Sequence, residues 1–165
     1  MTDFPRLLDA LCTGGVDFII VGGIAGTLHG SGIPTRDLDV VYSRDAANID
    51  RLVAALAPHA PYLRGAPPGL PFRWDQASVK AGLNFTLTTD LGAIDLLGEI
   101  AGGGDYRTLV PHAVRVTVFE KSCLCLGLRK LIEVKRAAGR PRDLQAVADL
   151  EALLEERASG EHPDA

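Results

Sequence analysis

The segment 18–42, FIIVGGIAGTLHGSGIPTRDLDVVY, restricts the fold more than any other part of the chain. Its all-apolar start, Phe18 to Val21, reads as a strand; Gly22-Gly23 then turns the chain into a short helical stretch that Gly30 closes. The SGIPT loop leads to a second strand, Leu38 to Tyr42, so the order is strand, helix, strand. Side chains alternate along a strand, which puts Asp37 and Asp39 on one face while Leu38 and Val40 point into the core. Two carboxylates side by side raise each other's pKa unless a cation neutralises them, and a hard divalent ion with oxygen ligands does so directly. The competing reading is a pair of solvated aspartates at the start of a strand.

Further along, helical spacing predicts helices over Pro5 to Cys12, Ala46 to Ala57 and Leu128 to Ala138, and a last one from Leu144 to Glu156. Leu83 to Thr88 and Ala93 to Leu97 flank a Thr-Asp-Leu-Gly turn and read as a hairpin; Val114 to Phe119 and Ser122 to Leu126 read as more strand. Strands reached both by a helical crossover and by hairpins predict an α/β fold, a mixed sheet flanked by helices with two more helices at the C-terminus. The Pro- and Gly-dense stretch from His59 to Gln76 is a candidate rim of a site, because long irregular segments in small domains are more often functional than idle.

A chain of 165 residues suits one domain, expected over residues 1–158, with 159–165 as a disordered tail. The longest uncharged apolar run, Phe18 to Leu28, is too short to span a bilayer, and the first residues lack the pattern of a signal peptide, so a cytoplasmic protein without membrane contact is expected. A net charge of -4 gives no general attraction to nucleic acid; a polyanion would need a local basic patch. Cys12, Cys123 and Cys125 are odd in number and have no second Cys/His pair at zinc spacing, which favours reduced structural thiols.

Other residues carry candidate chemistry. Asp95, inside the apolar strand GAIDLLG, needs a partner: either Asp37 and Asp39 through shared cations, or an ion pair with Arg107 or Arg115. Gly22 and Gly23, at a strand-to-helix turn, would let backbone N–H groups approach a phosphate. A dinucleotide site is the rival there, but the first glycine of G-x-G-x-x-G is missing; the GGG at 102–104 lacks the rest of a P-loop and reads as a turn. Lys135 shares a helix face with Leu131 and Ile132, so its ammonium either seeks an anion or lies with its stem on apolar surface and its head in water. Arg136, Arg140 and Arg142 form a basic cluster suited to triphosphate or an RNA backbone. Asp143 reads as the N-cap of the last helix, and His29 as a packed helix-end residue. Arg73 and Trp74 could bind phosphate and stack a base, or Trp74 could plug the core.

Gly-Gly, then His29-Gly30, then Thr35-x-Asp37-Leu38-Asp39-Val40, then a lone Asp in an apolar strand, resembles the polymerase-beta-like nucleotidyltransferase superfamily. Within it the chain looks most like the toxin-associated AbiEii and MenT type, whose closing helices LRKLIEVKRAAGRPRDLQAVADLE also resembles. The resemblance implies a minimal nucleotidyltransferase fold. It also implies Mg2+-dependent transfer of a nucleoside monophosphate from an NTP to an acceptor hydroxyl, with tRNA 3' ends as acceptor and a separate antitoxin as partner. It assigns Gly22 and Gly23 to nucleotide phosphates, Asp37 and Asp39 to metal, Asp95 to metal and base duty, and Lys135 to the triphosphate. Arg73 and Arg140 are added as nucleotide contacts from their place in the sequence. Two departures, Ile24 and Ile33, fall where the pattern often has Ser and Arg. Protein or small-molecule acceptors, and a nucleotide-binding module without catalysis, remain as alternatives.

Overall fold

The structure, a computed structural model, describes residues 1–160. Ten residues form α1 (Phe4–Thr13), in which Asp3 accepts the Arg6 N–H at the cap and Leu7, Leu8 and Leu11 supply the buried stripe. Next come β1 (Phe18–Val21), α2 (Gly22–Leu28), β2 (Leu38–Tyr42), α3 (Ala46–Leu56) and the short β3 (Tyr62–Leu63). The middle of the chain forms α4 (Gln76–Ala81), the hairpin of β4 (Phe85–Thr89) and β5 (Gly92–Leu97), and the small ribbon of β6 (Glu99–Ile100) and β7 (Gly104–Asp105). It closes with α5 (Tyr106–Leu109), the hairpin of β8 (Ala113–Val118) and β9 (Lys121–Leu126), α6 (Leu128–Ala138) and α7 (Pro141–Ser159).

Seven strands make one mixed sheet in the order β3-β4-β5-β2-β1-β9-β8. All four residues of β1 are buried, as a strand covered on both faces must be. α1 and α3 pack on each other, while α2, α6 and α7 form a second group. The core is one contiguous cluster that includes Ile19, Ile20, Val40 and Leu96, each fully buried.

The crossover between the first two strands is antiparallel, and the parallel pairs are β2 with β5 and β1 with β9. The reason is local. α2 has seven residues, and the loop after it carries the chain back to the end of the sheet that β1 has just left. β2 therefore starts where β1 stops, with Asp39 opposite Val21.

Several elements differ from the sequence reading. The stretch 59–76 holds β3 and runs into α4, a helix capped by Asp75 through the Ser78 N–H. The last helix starts at Pro141, so Asp143 is its third residue; its carboxylate accepts the Arg140 backbone N–H instead of capping as Ncap. That helix also continues through Ser159, into the segment expected to be tail; residues 161–165 lie outside the described residues. Cys123 and Cys125 share a buried face of β9, and burial pushes their thiols up to about 11 and about 12, consistent with unreactive core residues. No helix among the described residues is long and apolar enough to cross a membrane.

Candidate active site

The strand ladder assembles the acids. In the parallel pairing of β2 with β5, Asp39 lies in register with Asp95, and Leu38 and Val40 lie in register with Ile94 and Leu96. All four of those apolar partners are fully buried, so alternation leaves the carboxylates together on the other face. Asp37, just ahead of β2, completes the group: one oxygen from each of Asp37, Asp39 and Asp95 lies within 4.8 Å of the others. β2 and β5 are central strands, so these acids rest on rigid backbone.

Gly22 is needed here. With φ of +66° and no side chain, it accepts the Asp39 carboxylate against its backbone; a Cβ at this position would overlap the carboxylate. A Cβ on Gly23 would collide with Thr35, 2.6 Å from its hydroxyl oxygen, so both glycines set how closely the start of α2 meets the loop and β2. Their first measurable role is thus steric, bringing the backbone against the acids.

The electrostatics are unbalanced. Burial, then the charges of Asp95 and Asp37, push Asp39 up to about 7, against the pull of Lys135. Asp39 Oδ1 and Asp95 Oδ1 are buried without any hydrogen-bond partner. Buried oxygens without hydrogen bonds are uncommon and costly, and here two of them converge in an all-oxygen donor set, the chemistry that a hard divalent cation such as Mg2+ satisfies.

Sequence reasoning missed Arg64. It follows β3 and reaches across β4: Nη2 sits 2.8 Å from Asp95 Oδ1, and Nη1 lies 3.5 Å from Asp37 Oδ2. The Asp95 approach lies off the N–H direction, so it is an ion pair without a hydrogen bond; Nη2 donates instead to the Leu87 carbonyl at 2.7 Å. Arg107 and Arg115, the expected partners of Asp95, are engaged elsewhere, with Asp45 and Ser122. No local pattern marks Arg64, because only the pairing of β3 with β4 brings it over the acids.

No protein-family model and no curated protein matches this sequence. Solved structures do match. The chain is similar to a lincosamide antibiotic adenylyltransferase, LnuA, solved with lincomycin bound, at a TM-score of 0.60 and 12% identity over 92% of this chain and 96% of that one. It is also similar to the Thermotoga maritima protein TM1012, a candidate nucleotidyltransferase, at a TM-score of 0.52 and 14% identity, covering 93% and 91% of the two chains. An antigenic nucleotidyltransferase-like protein from Paracoccidioides brasiliensis matches at a TM-score of 0.55 and 16% identity, over 93% of this chain and 75% of that one. This is a nucleotidyltransferase fold.

In this nucleotidyltransferase fold, a cleft of about 520 Å³ opens beside the acids, lined by Gly22, Gly23, the three aspartates, Lys135, Arg140 and Arg142 among others. Lys135 is half-buried in it; burial lowers its pKa, while the charges of Asp143 and Asp39 act the other way. That places the ammonium in the cleft instead of in open water. Arg140 lines the same cleft from an exposed position, donating to Asp143 through Nε at 2.6 Å and Nη2 at 3.2 Å. Burial raises the Asp143 pKa, but the Arg140 guanidinium outweighs it and leaves this carboxyl below its ordinary value.

Two sequence candidates are placed elsewhere. Arg73 is exposed and does not line the cleft, and its neighbour Trp74 packs on the core, edge-on to Phe85, donating its indole N–H to the Val53 carbonyl at 3.0 Å. The side chain that the loop sends to the acids is Arg64. Arg136 is paired with Glu151 on α7. His29 has its Nε2 2.7 Å from the Leu126 carbonyl and its Nδ1 3.2 Å from Arg157, so it packs a helix end with its pKa lowered, chiefly by burial.

Proposed function

We propose that this protein transfers a nucleoside monophosphate from an NTP to an acceptor hydroxyl and releases pyrophosphate. The observation that carries this reading is the meeting of Asp37, Asp39 and Asp95, two of them with a buried oxygen that has no hydrogen bond, beside a cleft that holds Lys135. Asp37, Asp39 and Asp95 would hold a divalent cation, Mg2+ in this reading. When bound, such an ion neutralises triphosphate charge and lowers the pKa of an attacking hydroxyl.

The chain's own groups do the rest. Gly22 and Gly23 keep the start of α2 free of side chains, so a triphosphate can lie against backbone. Lys135 meets that triphosphate as a point charge, and Arg140 and Arg142 border the cleft as further phosphate donors. The acceptor oxygen forms a bond to the α-phosphorus, the bond from that phosphorus to the bridging oxygen breaks, and pyrophosphate leaves with the electron pair. Asp95 takes the acceptor's proton. The cleft walls orient the two reactants, which lowers the barrier by pre-paying their entropy.

Two acceptor classes have support. The AbiEii and MenT resemblance favours a tRNA 3' end, with a separate antitoxin protein as partner, and Arg142 at the cleft gives an RNA backbone a contact. A small hydroxyl-bearing molecule is favoured by an apolar cavity of about 380 Å³ that shares Ser31, Ile33, Pro34 and Thr35 with the cleft and is also lined by Phe4, Ile24, Leu28 and Phe119. The lincosamide antibiotic adenylyltransferase of the same fold was solved with a small molecule, lincomycin, bound. The test incubates the protein with each of the four α-labelled NTPs and Mg2+, adding either total tRNA or a panel of small hydroxylated compounds. Label in tRNA selects the first class, and label in a compound selects the second. Nucleotide binding with no pyrophosphate released in either arm would replace the enzyme by a nucleotide-binding module.

A further inference from the structure

Arg64 occupies a place that the proposed chemistry must empty. It stands between Asp37 and Asp95, 3.5 Å and 2.8 Å away, where a cation shared by the two carboxylates would also sit. A lysine there could lose its proton as a divalent ion approached; an arginine keeps its charge at any working pH, so it can make room only by moving. Its backbone is fixed in the sheet, while its side-chain contacts are mostly to the acids themselves. The backbone N–H donates to the Thr86 carbonyl at 3.0 Å, extending the ladder of β3 with β4, while the guanidinium donates to the Leu87 carbonyl at 2.7 Å and to Asp37 Oδ2 at 3.5 Å and leaves Nε buried without a partner. Immediately after it the chain turns through Gly65 at φ +80° into the Pro67-Pro68-Gly69 loop. About a quarter of the Arg64 side chain is exposed, so a path toward solvent exists.

We infer that Arg64 is a resident counter-cation of the acid cluster, which yields its place to a divalent ion and turns its guanidinium to the phosphates of the incoming NTP. This rests on the proposed function. Before substrate arrives, Arg64 neutralises Asp37 and Asp95 and keeps them together despite their repulsion. A divalent ion arriving alone must displace it with nothing to receive the freed charge. An ion arriving with a nucleoside triphosphate brings the anion that the planar guanidinium fork fits. Metal and nucleotide are thereby coupled, so each binds the protein better in the other's company.

The test is calorimetric, on the full chain, with Mn2+ as the metal probe and α,β-methylene-ATP with Mg2+ as the nucleotide probe. In Arg64→Gln, Mn2+ alone binds about tenfold more tightly than in the wild type, because no fixed positive charge opposes it. The same variant binds the analogue about tenfold more weakly, having lost a charge-assisted donor. Arg64→Lys, which keeps the charge, stays near the wild type for Mn2+. Unchanged or weaker Mn2+ binding in a folded Arg64→Gln overturns the counter-cation, and unchanged analogue binding overturns the transfer to phosphate. Should Arg64→Gln fail to fold in EDTA, recovery of its circular dichroism on adding Mn2+ reads the same displacement, and failure to recover overturns it. A different result marks failure of the site itself: if wild type and Asp39→Asn bind Mn2+ equally, or neither binds it, the acids hold no metal and both readings fall together.

Discussion

The two ends of β2 bury polar groups in opposite ways. At its far end, Asn48 is fully buried and fully engaged: its oxygen accepts the Asp17 N–H at 2.7 Å, and its amide donates to the carbonyls of Ser43 at 2.8 Å and Asp17 at 3.1 Å. Beside it Tyr42 donates its hydroxyl to Leu83 and accepts from Arg44. At the near end, Asp39 and Asp95 each keep a buried oxygen with no hydrogen-bond partner, in a setting that burial and like charge make unfavourable. A satisfied polar group that is buried ties elements together. Unsatisfied ones, at Asp39 on β2 and its register partner Asp95 on β5, are the mark of a place built for something else.

The sharpest way to break this comparison is to remove charge at the near end. Asp39→Asn is expected to lower nucleotidyl transfer by more than about a hundredfold, roughly 3 kcal/mol of transition-state stabilisation, with circular dichroism unchanged. Near-native turnover would mean that the orphaned oxygens serve no chemistry. At the far end the opposite is expected: Asn48→Ala should cost about 2 kcal/mol in urea unfolding, because three backbone groups lose their partners, while turnover per folded molecule stays the same. Equal damage to activity would erase the distinction between the two ends.

The ends should also separate by pH. Asp39 titrates at about 7 in the folded chain against an ordinary 3.8, so folding favours the protonated form. The stability this gives is full below 3.8 and is lost as pH rises through about 7. In EDTA the melting temperature is therefore expected to fall by about 5 °C between pH 5 and pH 8, and Asp39→Asn should flatten the fall while Asn48→Ala keeps it. A flat wild-type profile would show that the near end is not strained by its charge. The smallest effect belongs to Arg73→Ala: exposed and away from the cleft, it should change the KM for NTP by less than about twofold.

What could be read from the residues follows the same division. The two ends of β2, the β4–β5 and β8–β9 hairpins and the closing helices announce themselves through apolar runs, turn residues and helical spacing. α4 and α5 do not, since six and four residues show too little periodicity; the structure shows Asp75 and Asp105 capping them, each accepting an N–H three residues on. For the site, Asp37 and Asp39 were legible from alternation within one strand. The meeting with Asp95 needed the pairing of β2 with β5, and Arg64 needed β3 to add to the edge of β4. Both are long-range facts that no local pattern carries. The placement of Arg73 has the same origin: an arginine beside a tryptophan in a Pro-rich loop looks like a nucleotide contact, while the fold packs the tryptophan on the core and leaves the arginine exposed outside the cleft lining.

The loop of 29–37 and the ladder of β2 with β5 differ in how much change they tolerate. Length can change in the loop only ahead of Thr35, which packs on Gly23, and of Asp37, which joins the acids. One residue added within β2 ahead of Asp39 would turn that carboxylate toward the greasy side of the sheet and undo the cluster in a single step. The reading frame of the two central strands is thus the least forgiving feature of the site.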